Sequence, residues 1–196
     1  MELKAIDLTG IKRAHLCLHV GAGTFLPVKS EFISDHMMHS EPFSVTLQFL
    51  KDLAISTENK NVIAVGTTST RTLESLYYLG VHCLEGEEPG FVEQWEPYRG
   101  EGYNYSAYEA ITALVKYLEN NKKESITSRT SLIIVPSCKL HIIDYIVTNF
   151  HQPKSTLLLL ISALIGDSWR DMYQFALDHD FRFLSYGDSS LLKKQI

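Results

Sequence analysis

The sequence predicts an α/β fold: a mixed, largely parallel sheet or open barrel flanked by helices. Three observations carry this. Short apolar or alternating runs, read as strands, take turns with segments of helical spacing through most of the chain. Polar clusters fall just past several predicted strand ends, where open α/β sheets bind ligands. The 196 residues are 45% apolar and 21% charged, an ordinary globular balance and enough chain to bury one real core. The chain is therefore read as a single domain, 1–196, with an inserted loop and helix at about 81–130.

Met1 to Asp7 reads as helix without a start signal. Arg13 to Val20 alternates, with Ala14, Leu16, Leu18 and Val20 on one face and His15, Cys17 and His19 on the other, as a half-polar strand does. Val45 to Asn59 has helical spacing through Leu47, Leu50, Leu53 and Ala54. Asn61 to Val65 is a short apolar, β-branched run, a buried strand. Gly66 ends it, Thr67 to Thr70 offer hydroxyl caps, and Thr72 to Leu79 continue as helix.

Residues 83–104 mix glycines and prolines with charges and read as loop. Tyr105 to Asn121 is an amphipathic helix. Ser131 to Val135 and Leu140 to Thr148 read as strands, paired as a hairpin through Pro136 and Ser137. Ser155 or Thr156 caps a helix that Gly166 ends. It is apolar on every side and so belongs in the core. Asp171 to Asp178 is a last helix, and Phe181 to Ser185 a final strand before a polar YGDSS stretch.

Composition narrows the function. The net charge of −5 gives no overall basic field for nucleic acid, though a local patch remains open. The three cysteines, Cys17, Cys83 and Cys138, are odd in number and widely spaced, which fits a reducing cytoplasm rather than a disulfide framework or zinc knuckle. No signal peptide is visible, and the longest apolar run, Leu157 to Ile165, is too short for a membrane span.

Candidate chemistry lies in five clusters. In HVGAGTF (19–25), Gly21 and Gly23 permit either close backbone approach to a ligand or a tight turn. The stretch is no dinucleotide fingerprint, because a third glycine is missing and Pro27 follows. In VGTTSTR (65–71), Gly66, Thr67 and Thr68 meet a helix N-terminus and suit a carboxylate, phosphate or ribose oxygen, or simply cap the helix. Arg71, one turn in, could reach an anion or sit in solvent. In DHMMHSE (35–41), His36 and His39 share a helical face, so a metal is conceivable, but no third ligand is evident; His39 with Glu41 serves better as an acid/base pair, or the stretch is simply surface near a helix start. In TNFHQPKST (148–156), His151 is a general base, a ligand donor or a core anchor. Asp188, in SYGDSS, pairs with a cation or stabilises a turn.

Taken in order, LHVGAGTF-x-PV, DHMMHSE, AVGTTSTRTLES, TNFHQPKSTLLLL and FRFLSYGD resemble the S-adenosylmethionine:tRNA ribosyltransferase-isomerases of queuosine biosynthesis. The likeness runs from about Gly10 to Leu192, apart from 81–130. It implies an enzyme that moves the ribosyl part of S-adenosylmethionine onto the aminomethyl group of a 7-deazaguanine at the tRNA wobble position. Adenine and methionine leave, and the ribosyl is rearranged to an epoxycyclopentanediol. S-adenosylmethionine is a substrate here; no metal or other cofactor is implied, nor a membrane. His19, His39, Glu41 and His151 match the motif positions and are the implied acid/base set. Gly21, Gly23, Thr24, Gly66, Thr67 and Thr68 are implied contacts to ribose or to the methionine carboxylate, with Arg71, Asn149 and Asp188 beside them. Phe25 or Phe150 is implied to face the sulfonium or stack on a base.

Family members are longer, with an N-terminal portion that includes a small β-barrel, so the resemblance implies that this chain is a C-terminal portion. Where the family has Pro-Gly and an aromatic, this chain has Pro136-Ser137-Cys138. The rival reading is a non-catalytic relative that binds S-adenosylmethionine, tRNA or a partner protein. A nucleotide-binding α/β hydrolase would need a G-x-S-x-G elbow, which is absent.

Overall fold

The computed structural model describes residues 11–19, 32–59, 62–99, 103–184 and 187–195. The predicted helix at Met1 to Asp7 and the glycine loop after His19 lie outside them. In chain order the elements are β1 (Cys17–Leu18), β2 (Glu41–Thr46), α1 (Leu47–Asn59), β3 (Ile63–Val65), α2 (Thr67–Leu84), β4 (Phe91–Val92), α3 (Ala107–Asn120), β5 (Ser125–Thr130), β6 (Tyr145–Asn149), α4 (Thr156–Ile165), α5 (Ser168–Asp178) and β7 (Ser189–Lys193). Single 3₁₀ turns cover Ile33–Asp35 and Glu96–Tyr98.

The α/β class holds, with mixed sheets flanked by helices. Among the described residues the strands form two sheets rather than one, in the orders β1-β2-β5-β4 and β3-β6-β7. Parallel pairing is confined to β3 with β6 and β4 with β5, and the other three ladders are antiparallel. Sheet content is thus less parallel than the alternation of elements suggests, because β2 and β5 pair across a long connection filled by helices.

Several boundaries differ from the sequence reading. The helix predicted from Val45 begins at Leu47, and residues 41–46 form β2 instead, burying Glu41, Phe43 and Val45 on one face. That is period-two burial, partly hidden by a polar residue facing inward. No strand forms at 131–135 and no hairpin at Pro136; the strand lies one step earlier, at β5, whose inward side chains are Ile126, Ser128 and Thr130. Hydroxyl residues on the buried face leave little apolar signal for a strand. Phe181 to Leu184 is not a strand either; the last strand is β7. The capped, core-facing helix at 156–165 is as expected: the Ser155 hydroxyl accepts from the Leu158 N–H, and Gly166 ends it at φ 58°.

Helix α2 is the spine of the molecule. Every residue from Thr70 to Val81 is buried. It starts at Gly66, whose φ of 92° favours glycine, and whose N–H donates to Val147 O at 2.8 Å, tying the helix start to the middle of β6. Thr67 to Thr70, read as caps, lie inside the helix, and no side chain caps its first turn. At Gly80 the helix touches α3 so closely that a Cβ would stand 2.1 Å from Ala110 O. Mid-helix, the buried Glu74 carboxylate accepts from the N–H groups of His141, Ile142 and Ile143 at 2.7, 3.0 and 3.0 Å. It thereby satisfies a stretch that belongs to no strand. Burial pushes that carboxyl above its ordinary value, while the three donors and Lys194 oppose the shift. His141 lies flat on Tyr77, with ring centroids 3.6 Å apart.

Replacing Glu74 with alanine strands three buried donors at once. The expected cost is about 3 kcal/mol or more, read as a lower midpoint in urea, with the Gln variant between the wild type and Ala. A midpoint within error of wild type for Glu74→Ala would overturn this role.

Candidate functional site

The site begins where β1 ends, β2 begins and the first turns of α2 pass beneath them. The His19 N–H donates to Pro42 O at 3.0 Å, placing the exposed His19 across from the residue that follows Glu41. His39 stands two residues before Glu41, where β2 opens. Its Nε2 is 2.9 Å from Glu41 Oε1. The other Glu41 oxygen, Oε2, accepts from Arg71 Nη1 at 2.7 Å. Arg71 also donates through Nε to Leu132 O at 3.0 Å and through Nη2 to His39 O at 3.4 Å.

Glu41 and Arg71 are 2% and 3% exposed, while the His39 side chain keeps 26% of its surface. Arg71 is therefore not a solvated helix residue; the anion it reaches belongs to the protein. Burial lowers its pKa and Glu41 opposes the shift; the guanidinium, always charged in proteins, forms an ion pair with the Glu41 carboxylate. An ionised carboxylate only accepts. The His39 nitrogen facing it is then the protonated one, which makes Nδ1 the proton-accepting nitrogen of the neutral ring. A buried carboxylate that fixes a tautomer and steadies the imidazolium is the arrangement a histidine base requires.

A second cluster forms at the carboxyl end of β6. His151 Nε2 is 2.9 Å from the Thr148 hydroxyl, and its backbone N–H donates to the Tyr173 hydroxyl at 2.8 Å. Burial holds this histidine down to about 4, so it is neutral at neutral pH. Asn149 donates from Nδ2 to Asp188 O at 3.4 Å and Gly187 O at 3.5 Å, holding the turn before β7. Asp188 pairs with Arg182, accepting from its backbone N–H at 2.9 Å and its guanidinium at 3.3 Å, which lowers its pKa. Phe150 is buried among Tyr173, Phe181 and Phe183, with ring centroids 5.2–5.6 Å away. Gly66 links the two clusters through Val147 O, and Thr67 and Thr68 follow it on α2.

Gly21, Gly23, Thr24 and Phe25 lie outside the described residues. Among the described residues no group of three or more His, Cys, Asp or Glu is placed to hold a metal, His36 and His39 included. No described helix is long and apolar enough to cross a membrane. Sequence reasoning missed the backbone of Leu132 and Ile133 and the side chain of Gln94, all of which touch this cluster. A carbonyl has no sequence signature, and Gln94 sits in a stretch that reads only as loop.

Comparison with known proteins adds a family to this geometry. A family model described as "Queuosine biosynthesis protein" matches residues 2–192. The chain belongs to that family. It is 38% identical over 193 residues to the S-adenosylmethionine:tRNA ribosyltransferase-isomerase of Cupriavidus metallidurans, covering 97% of this chain and 43% of the relative. It is 37% identical over 195 residues to the protein of that name from Burkholderia ambifaria, covering 98% and 45%. The crystal structure of the S-adenosylmethionine tRNA ribosyltransferase from Thermotoga maritima matches with a TM-score of 0.60 at 26% identity, over 96% of this chain and 47% of that one. This queuosine biosynthesis family chain thus spans less than half the length of the curated relatives it matches.

Two measurements test the site. Removing one partner of the buried pair, as in Arg71→Met, leaves Glu41 uncompensated and should cost about 3–5 kcal/mol in urea unfolding. Adding Glu41→Gln should recover part of that loss. If the double variant lost the full sum, the pair would not be coupled. His151 gives a pH signature. Its ordinary pKa is near 6.5 and its folded value about 4. Between those values the unfolded chain takes up a proton that the folded chain refuses, so stability falls as pH drops through that window. The loss from pH 7.5 to 4.5 should shrink by about 2 kcal/mol in His151→Gln, and an unchanged loss would place this histidine in water.

Proposed function

We propose that this chain is the acid/base half of a transferase-isomerase that moves the ribosyl moiety of S-adenosylmethionine onto the aminomethyl group of 7-aminomethyl-7-deazaguanine in tRNA, giving epoxyqueuosine. The observation that carries the reading is the His39–Glu41–Arg71 relay at 2.9 and 2.7 Å, in a chain of the queuosine biosynthesis family. The names of the relatives support S-adenosylmethionine and tRNA as the substrates.

The reaction needs proton movements at three places. The sulfonium acidifies the neighbouring C5′ protons, and a base must take one. The incoming aminomethyl group must lose a proton to become a nucleophile, and departing adenine must gain one. His39 suits the first task. Its Nδ1 accepts the proton while Glu41, paired with Arg71, stabilises the resulting imidazolium. His151, neutral above about pH 4, suits hydrogen bonding to substrate. His19 stands at the mouth of the first cluster. Gly21, Gly23, Thr24 and Phe25 are assigned to one wall of the nucleoside-sulfonium site, and Gly66, Thr67 and Thr68 to the ribose or methionine carboxylate. Asn149 and Asp188 are assigned to substrate binding beside His151, and Phe150 packs in the core next to it in the chain. The reading calls for no metal and no cofactor beyond S-adenosylmethionine as substrate.

Mixing the chain with S-adenosylmethionine and tRNA carrying the 7-deazaguanine base, with the remaining half of a full-length relative supplied, should release adenine and methionine. His39→Gln should slow adenine release by roughly 100-fold or more. A His39→Gln variant that turns over like wild type would remove it as the base. Calorimetry with S-adenosylmethionine alone decides whether this portion binds it unaided. A chain that binds but never turns over, even when completed, favours the non-catalytic reading.

A further inference from the structure

The segment from Phe91 to Tyr98 carries none of the motif residues, yet it is tied to the site on three sides. Glu96, 4% exposed, accepts the Glu93 N–H at 3.0 Å and faces His82 Nε2 of α2 at 2.8 Å, which raises the histidine's pKa. The Tyr98 hydroxyl donates to Ile133 O at 3.1 Å and accepts from the Val135 N–H at 2.9 Å. The Ile133 N–H donates to Gln94 O at 3.1 Å. Thus anchored, the segment extends one side chain toward the residues that precede His39. Gln94 Oε1 accepts from the Met38 N–H at 2.9 Å, and Gln94 Nε2 donates to His36 O at 2.6 Å. Only one amide orientation satisfies both bonds, so the side chain acts as a short strand edge for residues 36–38.

These contacts close a circuit. His39 reaches Glu41, Glu41 reaches Arg71, and Arg71 Nε reaches Leu132 O. The next residue, Ile133, bonds Gln94, and Gln94 bonds Met38, the neighbour of His39. Glu41 fixes the imidazole from its side-chain end, and Gln94 fixes it from its backbone end.

We propose that Gln94 is a positioning residue for His39: its amide sets the backbone of residues 36–38 and so where the imidazole stands against Glu41. A loop outside the shared motifs thereby becomes part of the site's support. Any catalytic consequence rests on the reading of His39 as proton acceptor, whereas the positioning itself does not.

Two variants and two readouts separate these. Gln94→Met keeps the volume and loses both bonds. Gln94→Glu keeps the acceptor for the Met38 N–H but has no donor for His36 O. In the substrate-free chain, histidine labelled with ¹⁵N reports the His39 ring, assigned by its loss in His39→Gln. The wild type should show one tautomer, protonated at Nε2. Gln94→Met should shift or broaden those signals toward a tautomer average, with Gln94→Glu between, while the His151 signals stay put. A turnover assay with the completed enzyme should show kcat falling about 10- to 100-fold with KM within about threefold, because a small misplacement of a base acts on the chemical step. His39 signals identical to wild type in both variants, with only a lower melting temperature, would overturn the proposal and leave Gln94 a packing residue. Should Gln94→Met not fold, the Gln94→Glu spectrum decides alone. Altered His39 signals with unchanged turnover would support the positioning and instead refute His39 as the base.

Discussion

A guanidinium and a carboxylate buried side by side must stay paired, because either one alone would carry the full cost of leaving water. Arg71 and Glu41 are such a pair, and much of the architecture around them serves to keep them matched. Arg71 is fixed one turn into α2, whose start is bonded to β6 and whose length runs through the core. Glu41 opens β2, whose pairing with β5 across Glu41 and Thr130 sets its register. The spare donors of Arg71 are taken up by the carbonyls of Leu132 and His39. Sheet, helix and connecting segment therefore meet at one ion pair, and a shift of any of them would break it.

The same pair links stability to chemistry. An apolar pair of similar volume would fill the space at less desolvation cost. What such a pair could not do is hold an ionised carboxylate against an imidazole. The cost is consistent with a site that needs a histidine of defined tautomer at a partly open surface. His151 represents the opposite solution: burial without a charged partner keeps that ring neutral. Two histidines in one fold thus sit in different environments, His39 against a carboxylate and His151 buried without a charged partner.

The motifs of the candidate site were legible because their residues cluster locally: DHMMHSE contains both His39 and Glu41, and TNFHQPKST contains His151 with its partner Thr148. The helices were legible where apolar spacing and caps agreed, as at Ser155 and Gly166. Strands β2 and β5 were not, because Glu41, Ser128 and Thr130 face inward and break the apolar alternation that marks a strand. Their polar groups are satisfied at a distance: the Thr130 hydroxyl meets Ser75 at 2.7 Å and the Leu132 N–H at 2.9 Å.

The sequence by itself determined which residues could carry protons and which could end or cap a helix, since those properties belong to single side chains and their near neighbours. It also determined family membership, through motifs read in order. The tertiary structure decided which anion Arg71 meets, which backbone Glu74 satisfies and what Gln94 grips. Each of those contacts joins residues 30 to 69 positions apart. A pairing at that separation depends on where the chain folds back, and no local pattern of residue types records it.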